Sequence, residues 1–318
     1  MFFARAALRP ASHWNVALVL DRRVHMLRDV FVTPSNWRRR YSSKSGKAML
    51  ENPILYSRES EDHQNEAKWC LERYGNRLKW TKDESVLDFG CGTGDVSVKI
   101  LFPYIKDKIS SMLCVDMDPK MITFAKKQFK EPKVKFEVFD VGQAENISKI
   151  SPVDKIFSFF ALQWVGDRST LGANIYQLLK PGGQTFLLLV AKNGLYFVWD
   201  EVAKTAKWRP YLTDEIEHLN EYAYSDDPLS LFTEALRNAG VKIEFAEQIQ
   251  RENVFKSRKL TDELMIQKIR TVDPYVSKIP HELRADYLQD VLTLTKKMVS
   301  PKGATDYTGL IVIASRPK

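Results

Sequence analysis

The sequence predicts an α/β fold built on a doubly wound sheet, and three observations predict it. Five short apolar runs recur from residue 85 onward, helical patterns fill the gaps between them, and a glycine-rich turn, GCGTG at 90–94, follows the first run. The runs are SVLDFG (85–90), SSMLCVDM (110–117), VKFEVFD (134–140), KIFSFFAL (155–162) and QTFLLLVA (184–191). Apolar stretches of this length are what parallel strands covered on both faces require. Strands alternating with helices assemble into a doubly wound sheet.

Taken in order, ESEDHQNEAKWCLERYGNRLKW (59–80) predicts an amphipathic helix, because Ala67, Cys70, Leu71, Tyr74 and Leu78 share one face at helical spacing. Helices are predicted at 95–105, 119–129 and 168–180. In the last, Leu171, Ile175, Leu178 and Leu179 line up, and KPGG (180–183) supplies the stop. Past the fifth run the pattern turns helical and aromatic, in LYFVWDEVAKTAKW (195–208). Asp227 and Pro228 then open a helix that Gly240 closes. VKIEFAEQIQRENVF (241–255) and TGLIVIAS (308–315) read as two further strands, with helices at 261–270 and 281–298 between them.

At 318 residues, 44% of them hydrophobic, the chain is long enough to bury one sizeable core. No apolar run approaches the roughly 20 residues of a membrane-spanning helix. Cys70, Cys91 and Cys114 are odd in number and lack metal-ligand spacing, so they read as reduced thiols of an intracellular protein. The first 50 residues hold ten of the 48 basic residues and two of the 40 acidic ones, so the net charge of +8 resides there and the rest is neutral. Such a body does not advertise nucleic-acid binding. Residues 1–48 are Arg-rich and acid-poor, which fits a mitochondrial transit peptide; the alternative is an extension upstream of a working start at Met49. Either way the extension is expected to be disordered and to stand apart from a folded domain at 49–318. The protein is accordingly expected in the cytoplasm, or in mitochondria if the extension is a targeting signal.

The glycine turn bears on the ligand. GCGTG does not meet the dinucleotide pattern G-x-G-x-x-G, and Asp95 stands where its third glycine would fall. An acid at that helix start would repel a phosphate and suit a cation. Asp88, two residues before Gly90, adds a second carboxylate. S-adenosylmethionine is a ligand of that kind, carrying an ammonium and a sulfonium but no phosphate. Asp116 ends the second run, 22 residues after Gly94, at the spacing of an acid that grips ribose hydroxyls. Met117 beside it can pack on adenine. Asp140 ends the third run and can accept from the adenine amino group, with the Val141 backbone adjacent. The expected cofactor set is therefore Asp88, Gly90, Gly92, Gly94, Asp116, Met117, Asp140 and Val141.

VLDFGCGTGDVS, VDMDPKMITFAKK, FDVGQAENI and LLKPGGQTFLLLV resemble the successive motifs of class I S-adenosylmethionine-dependent methyltransferases. The resemblance extends to the juvenile hormone acid O-methyltransferases of insects, through NPILYSRESEDHQNEAKWCLE, ALQWV, IYQLLKPGG and WRPYLTD, from about Met49 onward. It implies a Rossmann-like, seven-stranded, mostly parallel sheet whose last strand is antiparallel, with a helical substrate cap at about 59–80, 195–239 and 256–300. It also implies methyl transfer to the carboxylate of a small lipophilic acid, such as juvenile hormone acid or farnesoic acid. In the acid-methylating relatives a Gln and a Trp orient that carboxylate; by motif match these are Gln64 and Trp164. Where the family has LHWV this chain has LQWV, so Gln163 replaces a histidine.

A carboxylic acid is already ionised at neutral pH, so no general base is expected. His63 reads as a solvated residue at a helix start. Aromatic residues in 195–211 (Tyr196, Phe197, Trp199, Trp208 and Tyr211) either wall an apolar acceptor site or pack a helical core. Two other readings stay open: a methyltransferase for another small molecule, including a mitochondrial one, and a cofactor-binding partner without catalysis.

Overall fold

The computed structural model describes residues 52–212, 220–251, 261–298 and 306–318. The basic extension and the start of the expected domain at 49–51 lie outside the described residues, as do 252–255 of the sixth expected strand. Seven strands form one sheet: β1 (Glu84–Phe89), β2 (Ile109–Asp116), β3 (Val134–Val138), β4 (Val153–Phe159), β5 (Leu179–Asn193), β6 (Lys242–Arg251) and β7 (Tyr307–Ser315). Their order is β3-β2-β1-β4-β5-β7-β6. The pairings β1–β2, β2–β3, β1–β4 and β4–β5 are parallel, whereas β7 runs antiparallel to both β5 and β6. The chain winds outward from β1 to β3, then returns to β4 and winds the other way. The order reverses between β1 and β4, where open α/β sheets place their ligands.

The helices are α1 (Pro53–Arg58), α2 (Glu61–Tyr74), α3 (Phe102–Ile105), α4 (Pro119–Gln128), α5 (Arg168–Leu178), α6 (Gly194–Lys204), α7 (Arg209–Leu212), α8 (Pro228–Asn238), α9 (Asp262–Val272) and α10 (Arg284–Met298). Several starts are set by an Asx side chain that accepts the first free backbone N–H groups. Asn52 caps α1, Asp118 caps α4 and Asp227 caps α8, each followed by a proline in the first turn. The helix predicted at 59–80 is shorter than expected, since α2 starts after Ser60 and a 3-10 turn takes over at Gly75. The expected face is nonetheless the buried one: Ala67, Cys70, Leu71, Tyr74 and Leu78 are all enclosed.

Alternation along the strands divides the core into two layers. On one face Leu87, Phe89, Leu187 and Leu189 pack with Leu171, Ile175 and Leu178 of α5 and Phe232 and Leu236 of α8. On the other, Val86, Phe186, Leu188, Ile311 and Ile313 pack with Ala67, Cys70 and Leu71 of α2 and Ile122 and Ala125 of α4. KPGG behaves differently from the helix stop expected of it. Leu179 already pairs with Val153, the pairing resumes at Gln184 with Lys155, and the intervening residues bulge out through Gly182 at φ +81°. A separate apolar cluster joins α6 to α10 through Val198, Trp199, Val202, Tyr287, Val291 and Leu292.

Candidate active site

Gly90 leaves the end of β1, and both its N–H and that of Cys91 donate to the carbonyl of Val115 on β2. That sharp turn requires left-handed backbone: Gly90 lies at φ +70°, and a Cβ there would run into the Cβ of Ala161. The following helix opens with a wide turn over Ser97–Leu101 just ahead of Pro103, whose missing N–H cannot close the usual i→i−4 bond. On that turn Ser97 donates to Asp88 Oδ2 at 2.6 Å.

A cavity opens here between the glycine turn and the N-terminal helices. Asp88, Gly90, Cys91, Thr93, Asp95 and Ser97 line one side, and Tyr56, Ser60 and His63 the other, with Phe159 and Phe160 behind. Asp88 is 2% exposed, and burial pushes its carboxyl up to about 7. Asp95 is also 2% exposed, and its charge is not bare. Thr93 donates to it at 2.6 Å, and Lys99 pairs with its other oxygen at 2.6 Å. Asp116 spans the turn: one oxygen accepts the N–H of Gly92 and the other that of Asp118, both at 2.9 Å. Burial raises its pKa, against the pull of those two N–H groups. Met117 is half-buried beside it. Asp140 accepts from the Gly142 N–H at 2.8 Å and from Gln143 at 3.0 Å, and the carbonyl of Val141 accepts from Asn174 at 2.8 Å.

The expected cofactor residues thus stand on the ends of β1, β2 and β3 along one rim of the sheet. These carboxylates are hydrogen-bond acceptors: Asp88 and Asp95 line the cavity, and each Asp116 oxygen keeps a lone pair beyond the N–H it accepts.

The expected acceptor residues are placed as follows. Trp164 ends a 3-10 turn at Leu162–Trp164 just past β4, half-buried, with its ring edge-on to Tyr196 at 5.7 Å. Among the described residues nothing accepts its indole N–H. Gln64 donates its amide to Ser60 Oγ at 2.8 Å. Gln163 is 6% exposed and donates to the carbonyl of Phe160 at 2.7 Å, while its own oxygen is enclosed without a partner. It therefore holds Phe160 at φ +58°, a strained value for an aromatic residue. Of the 195–211 aromatics, Tyr196, Trp199 and Trp208 are buried in the α6–α10 core, and Trp208 donates to Asp290 at 2.9 Å. Tyr211 is exposed.

His63 corrects an expectation. It is not a solvated helix-start residue but a wall of the cavity, flanked by Tyr56 at 5.9 Å and Phe160 at 4.9 Å. Its Nδ1 is enclosed without a partner, and burial lowers the ring's pKa. Tyr56 and Phe160 were missed as well. The Phe160 backbone is a tertiary strain with no sequence signature, and Tyr56 stands in NPILYSRE, where neither spacing nor charge marks it.

A family described as a methyltransferase domain matches residues 86–183. Juvenile hormone acid O-methyltransferase of Drosophila melanogaster is 26% identical over 260 residues, covering 80% of this chain and 86% of that protein. The Bombyx mori protein of the same name is 25% identical over 253 residues, covering 78% and 87%. Among solved structures, phosphoethanolamine N-methyltransferase 2 of Haemonchus contortus, in complex with S-adenosyl-L-methionine, matches with a TM-score of 0.51 at 18% identity. That match covers 84% of this chain and 57% of the other, and it speaks for the fold.

Proposed function

We propose that this chain, a class I S-adenosylmethionine-dependent methyltransferase, methylates the carboxylate of a small lipophilic acid to give a methyl ester. The observation that carries this reading is Trp164, half-buried at the switch point, with its indole N–H uncommitted among the described residues. A neutral N–H orients a carboxylate without neutralising the oxygen that must attack. The similarity to the two insect acid O-methyltransferases, each along most of its length, supports the same acceptor class.

S-adenosylmethionine supplies an electrophilic methyl group on a sulfonium. Asp116 and Asp140 would hold the adenosine end, with Met117 and Val141 against the base, while Gly90, Gly92 and Gly94 let the backbone approach. Asp88 and Asp95 would hold the ammonium. The chain's remaining task is alignment, because an in-line displacement by an ionised acid needs the reacting atoms about 3–3.5 Å apart and no proton removed. Trp164 serves that alignment. Gln64 joins it by exchanging its present bond to Ser60.

The test is a methyl-transfer assay with farnesoic, short-chain and aromatic acids. Turnover on a lipophilic acid is expected, and Trp164→Phe should lower it roughly tenfold, the effect of one hydrogen bond to a charged group, at unchanged cofactor affinity. Turnover on an amine or phenol but on no acid would sink the reading.

A further inference from the structure

We infer that His63, as a neutral imidazole, donates an N–H to the acceptor's carboxylate and so fixes its orientation in the cavity beside the glycine turn. The inference rests on the acid-methylating reading above. An enclosed, unpartnered polar atom is uncommon enough to call for an explanation, and His63 Nδ1 is one. Nδ1 has no acceptor to take a proton's hydrogen bond, so the proton is assigned to Nε2, the ring nitrogen that is not enclosed. Among the described residues none exchanges a hydrogen bond with the ring. Packing against Tyr56 and Phe160 holds the ring in place, and Phe160 is itself pinned by Gln163.

Burial keeps the ring neutral, and among the described residues the carboxylates whose charge acts on it, Asp62 and Glu66, have other partners. Asp62 pairs with Lys268 of α9. Glu66 takes Arg251 of β6 at 2.8 Å and the Tyr307 hydroxyl of β7 at 2.9 Å. Across the cavity, Asp88 is held by Ser97 and Asp95 by Lys99. Each of these described carboxylates is engaged elsewhere, and burial opposes a second proton on the imidazole. The result is a donor of the same kind as Trp164, held between the rings of Tyr56 and Phe160.

The experiment titrates farnesoic acid into the full chain saturated with S-adenosylhomocysteine, and separately titrates S-adenosylhomocysteine alone. The variants are His63→Phe, which keeps a ring without a donor, and His63→Gln, which restores an N–H. With His63→Phe, acid binding should weaken roughly tenfold while S-adenosylhomocysteine binding stays within about twofold. His63→Gln should recover most of the loss. Acid binding unchanged in His63→Phe overturns the assignment alone, as does equal loss of both ligands, which would make His63 a cofactor or packing residue. Wild-type protein that neither binds nor methylates any acid overturns the carboxylate reading and this assignment with it.

Discussion

Asp88 couples the glycine turn to pH. Its carboxyl is lifted to about 7 by burial, and only Ser97 offsets that by hydrogen bonding. Below that value the unliganded protein holds the proton, and a cationic ammonium is better met by the ionised form. Binding should therefore release a proton. We expect the affinity for S-adenosylhomocysteine to fall roughly tenfold between pH 8 and pH 6, with Asp88→Asn weaker throughout and lacking this step, as calorimetry at each pH would read. The sign for stability is opposite to that of a salt-bridged acid. With the folded-state pKa raised, this group costs stability as pH climbs from the ordinary carboxyl range to about 7. Gly90 is the other exacting position. Gly90→Ala meets both a left-handed backbone and Ala161, and should cost about 1–3 kcal/mol in a denaturant titration and abolish turnover.

At the scale of elements, α2 forms one side of the cavity and is tied down at the far edge of the sheet. Arg251 of β6 grips Glu66 through two bonds, at 2.8 and 3.0 Å, and lies 3.7 Å from the Trp69 ring centroid. A bidentate, half-buried pair of this kind is stronger than a surface ion pair. Arg251→Ala should raise amide hydrogen exchange along 61–74 and leave the β1–β4 strands protected. The strands were legible in the sequence, β1 and β2 to within a residue at each end, β4 to within three and β5 only in its middle, since doubly covered strands must be apolar on both faces. Asp116 and Asp140 were placed near strand ends for a related reason, as each closes an apolar run, and the structure puts them at the end of β2 and just past that of β3. The facing of α2 toward the cavity was not. Neighbouring helix residues diverge by about 100°, so motif matching that singles out Gln64 cannot say that its neighbour His63 lines the cavity. That depends on Tyr56 and Phe160, which arrive from α1 and from the end of β4.

Among the described residues the apolar side chains form the two layers flanking the sheet and the α6–α10 cluster, against which Trp164 packs through Tyr196. A ligand on the sheet rim stabilises the folded state by mass action, about 2.7 kcal/mol at a hundredfold excess over Kd. S-adenosylhomocysteine should therefore raise the melting temperature by roughly 5 °C or more, and NADH should not, because its pyrophosphate would face Asp88 and Asp95. Among the described residues no helix is long and apolar enough to cross a membrane. The placement of β7 also has a consequence in time. Strand β6 is made before β7, yet among the described strands its neighbour in the sheet is β7, which is inserted between it and β5. A ribosome that has just completed β6 has produced a strand with nowhere to dock, beside a β5 edge that is still open. Until Tyr307–Ser315 emerges, the nascent chain carries two unsatisfied edges, and in that interval it is most exposed to wrong pairing and to chaperones.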